Sequence, residues 1–231
     1  MPRAQLDRQP RDVARMFDAV ADNYDRMNAV MTGGQERRWR RIVADTLAIG
    51  PADVVLDLAA GTGASSASLQ ARGATVVACD FSQGMLAVGR RRNQTMCFVA
   101  GDALRLPFAD ESFTAVTISF GLRNVADVDA ALSELARVTR PGGRIAVLET
   151  SAPRRQPMRA GHHFYVRHVM PRLARLVASN SEAYDYLAES VRAWPGPEAL
   201  AARIAAAGWE RVTWRQMLLG AVALHTGSRP R

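Results

Sequence analysis

The stretch Val54-Val55-Leu56-Asp57-Leu58-Ala59-Ala60-Gly61-Thr62-Gly63 decides the fold. Its first half is almost wholly valine and leucine, which reads as a short strand buried on both faces, and the two glycines then turn the chain into a helix. Strand, glycine turn and helix in that order open a doubly wound α/β sheet, whose ligands bind beyond the carboxyl ends of the strands. The pattern continues downstream. Strands are expected at 54–58, 75–79, 96–99, 113–119 and 143–150, with helices at 64–72, 83–92 and 128–140, the last stopped by Pro141-Gly142-Gly143. A helix at 197–207 and two closing strands, 210–217 and 221–226, bring the mostly parallel sheet to seven strands. Ahead of the core, Val13, Met16, Phe17, Val20, Tyr24, Met27 and Met31 recur at helical spacing, and Trp39, Ile42, Val43 and Leu47 resume after Gly33-Gly34. One Rossmann-like α/β domain is therefore expected over 1–231. It comprises an N-terminal helical cap at 11–48, a cofactor-binding core at 51–150, a substrate-side basic helical insertion at 151–208 and closing strands at 209–231.

A length of 231 residues leaves no room for two large domains, and 48% hydrophobic with 23% charged residues is a globular composition. The polar start of the chain and the lack of a run of about 18 apolar residues predict neither secretion nor a membrane span. Cys79 and Cys97 have neither metal-ligand spacing nor the number needed for a disulfide framework, so a reducing cytoplasm and no metal centre are expected. The net charge is +8, and every one of the 30 basic residues is arginine, which reads as a compositional bias. The placement is more telling. Between Thr150 and Ser181 lie Arg154, Arg155, Arg159, Arg167, Arg172 and Arg175 with His162, His163 and His168, and no carboxylate, while elsewhere the charges nearly cancel. A local anionic contact fits this better than nucleic acid does, because the excess is confined to one segment. A second cluster is Arg37-Arg38-Trp39-Arg40-Arg41, and a third, Arg90-Arg91-Arg92, reads as a solvated helix face.

The cofactor follows from the glycine turn. A dinucleotide fingerprint needs a third glycine where Ser66 stands, and Asp57 at the strand end repels a pyrophosphate but welcomes an ammonium. Gly61 and Gly63 let a ligand approach the backbone, and S-adenosylmethionine, with its ammonium and sulfonium, suits the site better than a nicotinamide. Asp80 at the end of the second strand suits the ribose hydroxyls. Asp102 beside Ala103, in Gly101-Asp102-Ala103, suits the adenine amino group, or alternatively caps a helix. Ser119-Phe120-Gly121 closes the wall.

With these residues in place, the chain resembles the UbiE/MenG-type C-methyltransferases of menaquinone and ubiquinone biosynthesis. The resemblance rests on Phe17-Asp18-Ala19-Val20-Ala21, Tyr24-Asp25-Arg26-Met27-Asn28 and Trp39 in the cap, and on Leu56 to Gly63 in the glycine loop. It continues through Leu106-Pro107-Phe108, Ile118-Ser119-Phe120-Gly121-Leu122-Arg123-Asn124, Arg137-Val138, Pro141-Gly142-Gly143, Glu149-Thr150-Ser151, Tyr186 to Ser190 and Gly220 to His225. The resemblance implies a class I S-adenosylmethionine-dependent methyltransferase acting on a ring carbon of a prenylated quinol, most like the demethylmenaquinol branch, with the ubiquinone precursor as the alternative. It carries cofactor contacts to Thr62, Asp80, Asp102 with Ala103, and Ser119. The chain departs from the family pattern at Ala64, where an aspartate is usual, and at Thr32 and Glu36, where a serine and a histidine are usual.

Direct displacement from a sulfonium needs no metal and no covalent intermediate; it needs positioning and a stabilised phenolate. Arg123 and Asn124, just past the fourth strand, are expected to stabilise the phenolate or orient a water, and Tyr24, Asp25 and Asn28 to close the ring pocket from the cap. The stretch from His162 to Val177 mixes Arg and His with Phe164, Tyr165, Val169, Leu173 and Leu176. It reads as a helix at 164–177 interrupted by Pro171, either an interfacial element that docks on the anionic inner face of a membrane or a substrate lid. A homo-oligomer is left open. An RNA methyltransferase, a different small-molecule methyltransferase, a non-catalytic scaffold and a nicotinamide oxidoreductase are the weaker readings.

Overall fold

The computed structural model describes residues 10–153, 156–169 and 182–231. Seven strands form one sheet in the order β3-β2-β1-β4-β5-β7-β6. Strands β1 (Val54–Leu58), β2 (Thr75–Asp80), β3 (Cys97–Ala100), β4 (Phe113–Ser119) and β5 (Thr139–Thr150) are mutually parallel; β7 (Val222–Ser228) runs antiparallel between β5 and β6 (Glu210–Met217). Strand β1 pairs with β2 on one side and β4 on the other, so the order reverses at β1, where a doubly wound sheet opens its ligand crevice.

Side-chain alternation sorts the sheet's two faces. Leu56, Leu58, Val116, Ile118, Ile145 and Val147 pack with Leu132 and Leu135 of α6 (Val128–Val138) and with Leu200 and Ile204 of α9 (Pro197–Ala206). Their neighbours Val55, Ala115, Ala146 and Leu148 meet Trp39, Val43 and Leu47 from around α3 (Glu36–Thr46) and Leu69 of α4 (Ala64–Gln70) on the other face. Helix α6 starts where the Asp127 carboxylate accepts from the N–H groups of Asp129 and Ala130, both at 3.0 Å. It ends at Val138, not at Arg140 as expected, and β5 already begins at Thr139. Pro141 bars helical geometry at the residue before it, and the Thr139 hydroxyl satisfies the Leu135 carbonyl at 2.6 Å.

The cap is three helices, α1 (Pro10–Val20), α2 (Tyr24–Thr32) and α3, with Gly33 taking the left-handed turn after α2 at φ +59°. Its acids fasten it to the core at α5 (Gln83–Arg92): Asp18 accepts from Gly84 N–H at 2.8 Å and from the Ser82 hydroxyl, Asp22 meets Arg91 at 2.9 Å, and Asp25 meets Arg92. Arg90 donates to the Phe98 carbonyl at 3.0 Å. The arginine run expected to be merely solvated therefore ties cap to core, although its exposed Asp22–Arg91 pair adds little stability.

In the basic segment, α7 (Met158–Phe164) begins earlier than expected, and a π-helical turn, Tyr165–Val169, follows. The remainder of the expected 164–177 helix, with Arg172 and Arg175, lies outside the described residues, as do Arg154 and Arg155. Helix α8 (Glu182–Ala193) falls within the helical insertion expected at 151–208, although no helix with these bounds was assigned there. No helix among the described residues is long and apolar enough to cross a membrane.

Candidate active site

Two cavities adjoin at the carboxyl ends of β1 and β4. The smaller, about 690 Å³ with its opening to solvent, is bounded by Val13, Phe17 and Tyr24 of the cap, Phe81 and Met85 after β2, Gly101 and Ala103 after β3, and Phe120, Asn124 and Val125 after β4. The larger, about 1950 Å³ with its open mouth, lies between α2, α3, the start of α7 and the turn at 218–222. Tyr24, Ala59, Gly61, Ser119 and Phe120 line both and form the partition.

The glycine loop is folded for the smaller cavity. Gly63 at φ +80° caps α4, and a Cβ there would stand 2.7 Å from the Phe98 ring, so helix and strand can close together only over a glycine. The loop's N–H groups are turned inward: Ala60 to the Cys79 carbonyl at 3.1 Å, Gly61 to Asp80 Oδ2 at 2.7 Å, Gly63 to the Ala60 carbonyl at 2.9 Å. That is the opposite of a phosphate cradle, whose N–H groups point at the ligand. Asp80, held also by Ser82 N–H at 2.8 Å, is the one charged residue among the described lining, and burial pushes its carboxyl pKa up. The Asn124 Oδ1 is buried without a partner in the same cavity. Acceptors at two points and apolar walls between them suit a ligand that brings hydrogen-bond donors, positive charge and a flat ring.

The sequence-predicted residues divide accordingly. Gly61, Asp80, Ala103 and Ser119 line the smaller cavity. Asn124, expected at the quinol, faces that cavity instead, because the turn Leu122–Asn124 points it away from Arg123. Asp57 lines neither cavity. It alternates with Leu56 and Leu58, so it points beneath the loop, where it accepts from the Ser66 hydroxyl at 2.6 Å. Gly63 acts through packing, and the Asp102 carboxylate accepts from Leu104 N–H at 2.9 Å while lining a separate shallow hollow. Thr62 and Asp25 line the larger cavity, but the Thr62 hydroxyl donates to Asp25, which also holds Arg92. They latch the cap shut and have little left for a ligand. Tyr24, Asn28 and Arg123 do face the larger cavity, Tyr24 with its phenol pKa raised by burial. Arg123 is nearly buried and paired with Glu149 at 2.8 Å, with its Nε unpartnered.

Other residues that shape the larger cavity were not among the expected site residues, Tyr165 having been read only as part of an interfacial element or substrate lid. The Tyr165 hydroxyl, on the π-helical turn, donates to the Met31 carbonyl at 2.8 Å and ties α7's end to the cap. Leu218 and Leu219, both left-handed (φ +47° and +56°), stand at the mouth, 49% and 76% exposed. Two leucines in a turn before Gly220, where polar residues are the rule, were a signal available from sequence.

Burial raises the Asp57 pKa from an ordinary 3.8 to about 7. A folded-state pKa above the unfolded one means that this group's contribution to stability is complete below about pH 4 and is lost as pH rises through about 7. Asp57→Asn, which keeps an acceptor for Ser66, should therefore be more stable than the parent at pH 8, by on the order of 2 kcal/mol. The advantage should shrink by pH 5. Urea midpoints at the two pH values test this, and an equal difference at both would sink it.

Residues 4–229 match the ubiE/COQ5 methyltransferase family. The chain belongs to that family. Within it, the demethylmenaquinone methyltransferase of Mycobacterium marinum is 57% identical over 230 residues, covering 100% of this chain and 99% of that protein. The protein of the same name from Mycobacterium tuberculosis is 56% identical, over 100% and 97%. Among solved structures, the cyclase SpnF superposes with a TM-score of 0.69 at 18% identity, over 100% of this chain and 98% of that one. Phosphoethanolamine N-methyltransferase 2 of Haemonchus contortus, in complex with S-adenosyl-L-methionine, gives 0.61 at 14% identity, over 84% and 53%. At such identities they speak for the fold alone. As a member of the family the chain is a methyltransferase, and S-adenosyl-L-methionine is its methyl donor.

Proposed function

We propose that the enzyme methylates a ring carbon of a prenylated quinol, converting demethylmenaquinol to menaquinol. The observation that carries this is the pair of adjoining cavities: a smaller one with acceptor groups and no cation among its described lining, and a larger apolar one across a partition that includes Gly61 and Ser119. The name shared by the mycobacterial relatives selects the quinol. In the smaller cavity Asp80 holds the ribose diol, Asn124 Oδ1 takes a donor from the amino-acid end, and Phe81, Ala103 and Val125 flank the adenine. When bound, S-adenosyl-L-methionine supplies an electrophilic methyl group. Tyr24 and Asn28 shape the ring site from the cap, and Arg123 provides positive potential for a phenolate. Incubation with labelled S-adenosyl-L-methionine and, separately, demethylmenaquinol and the ubiquinone precursor, followed by product mass, tests the reading. A single added methyl on the former is expected; methylation of the latter alone overturns it.

A tail of isoprene units must leave through the mouth, and the apolar residues there suit a bilayer. Leu218, Leu219 and Met158 rim it, and Phe164 is 60% exposed on the adjoining helix, within the stretch that carries the chain's excess of arginine. The protein is expected to sediment with anionic vesicles at low salt and to release as salt rises. Changing both leucines to glutamine should weaken vesicle binding at least about tenfold, since each buried leucine side chain contributes about 1.5–3 kcal/mol. Unchanged binding would remove the turn from the contact.

A further inference from the structure

The titratable residues that line the larger cavity, among those described, are Tyr24, Asp25, Glu36, Arg40, Arg123 and Tyr165, from α2, α3, the turn after β4 and the π-helical turn. A phenolic substrate needs one of them to take its proton, and most are unfit. Arginines have no acceptor. Burial raises the pKa of both phenols and so keeps them protonated, and Tyr165 already donates to the Met31 carbonyl. Asp25 is held by Arg92 and by the Thr62 hydroxyl.

Glu36 remains. It is buried at 8% exposure, and among the described residues no cation lies within ion-pair distance of it. It is bonded instead to the Thr32 hydroxyl one turn earlier, and that same oxygen lies 2.8 Å from the Asn28 carbonyl. A hydroxyl has one proton to give. With Glu36 ionised, Thr32 donates to the carboxylate. With Glu36 protonated, the acid donates to Thr32, and Thr32 turns its proton to the Asn28 carbonyl. Both states keep the Glu36–Thr32 bond without moving a heavy atom, which suits a group that must gain and lose a proton.

We propose that Glu36 is the general base of the reaction and Thr32 the residue that adjusts to its protonation. The quinol O–H bond breaks, its electron pair stays on the ring oxygen as a phenolate, and the proton passes to a Glu36 carboxylate oxygen while the Thr32 hydroxyl rotates to Asn28. This rests on the reading that the larger cavity holds a quinol. Arg40 and Arg123, lining the same cavity, favour the phenolate so formed.

The test has two arms. In turnover, Glu36→Gln should lower kcat about 10²- to 10⁴-fold, with S-adenosyl-L-methionine affinity and melting temperature held near the parent's and partial recovery in Glu36→Asp. Thr32→Val should lower kcat about tenfold, the effect of one charge-assisted hydrogen bond, and Thr32→Ser should restore it. The second arm uses no methyl donor: a 1-naphthol analogue is bound at saturation and its ionisation followed by naphtholate absorbance against pH. Glu36→Gln should ionise it at least about one pH unit lower than the parent does, because the parent's carboxylate, placed to take the phenol's proton, opposes a second negative charge beside it. Parent-like turnover in Glu36→Gln, or the same ionisation pH in both, overturns the proposal. If the parent methylates no quinol, the functional reading fails instead, and the naphthol titration still decides on Glu36.

Discussion

Arg123→Met should cost about 3–5 kcal/mol of folding stability, because it strands a charge that the fold cannot hydrate. Glu149 is fully buried at the end of β5, and Arg123 Nη1 is its cation at 2.8 Å. Two backbone N–H groups also point at the carboxylate, Arg123 at 3.2 Å and Thr150 at 2.7 Å, so Glu149 survives the substitution with its hydrogen bonds but without its counter-charge. The same guanidinium bonds the Phe120 carbonyl, fixing the partition residue between the two cavities. At this chain length such a loss lowers the melting temperature by about 6–20 °C. Adding Glu149→Gln removes the stranded charge yet keeps an oxygen for one N–H, so the double variant should regain most of the stability. It should not regain turnover, which falls about 10²–10³-fold when a donor that stabilises a developing oxyanion is lost. Recovery of both together would make Arg123 purely structural; a stability loss under about 1 kcal/mol in the single variant would contradict the buried-pair account.

That pair marks where the sequence was readable and where it was not. Strands β1, β4 and β6 lie where apolar patterning places them, and the crevice follows from the glycine turn alone, since only topology decides which strand ends face a ligand. Asp80 and Ser119 were legible because they close strands on that edge. Direction within a turn was not. Arg123 and Asn124 are neighbours, yet a tight helical turn sends one to each cavity, and no pattern of hydrophobicity encodes that. Asp57 misled for a related reason: one residue of strand alternation carries it under the loop, away from the crevice. Helix α8 carries apolar residues at helical steps, Ala183, Tyr186, Leu187 and Val191, but the buried Ser190 interrupts them, and the helix was not singled out within the helical insertion expected at 151–208.

Asp80→Ala should weaken S-adenosyl-L-methionine binding about 10²- to 10⁴-fold, taking two charge-assisted hydrogen bonds to the ribose diol at about 1.5–3 kcal/mol each. Both carboxylate oxygens are already held by backbone N–H groups, Oδ2 by Gly61 and Oδ1 by Ser82, with the Phe81 N–H also on the carboxylate, which lines the cavity. Those backbone bonds fix both oxygens before any ligand arrives, so binding costs no side-chain ordering there. They also distinguish two substitutions. Asp80→Asn preserves shape but turns an amide NH₂ against either the Gly61 or the Ser82 N–H, and so should disturb the loop as well as the ligand. Asp80→Ala leaves both N–H groups free to take water in the space vacated. Asparagine should therefore lower the melting temperature at least as much as alanine while affinity falls in both. Calorimetry with the methyl donor, alongside thermal melts, measures the two effects separately. If Asp80→Ala binds within about threefold of the parent, under 1 kcal/mol, the diol contact lies elsewhere.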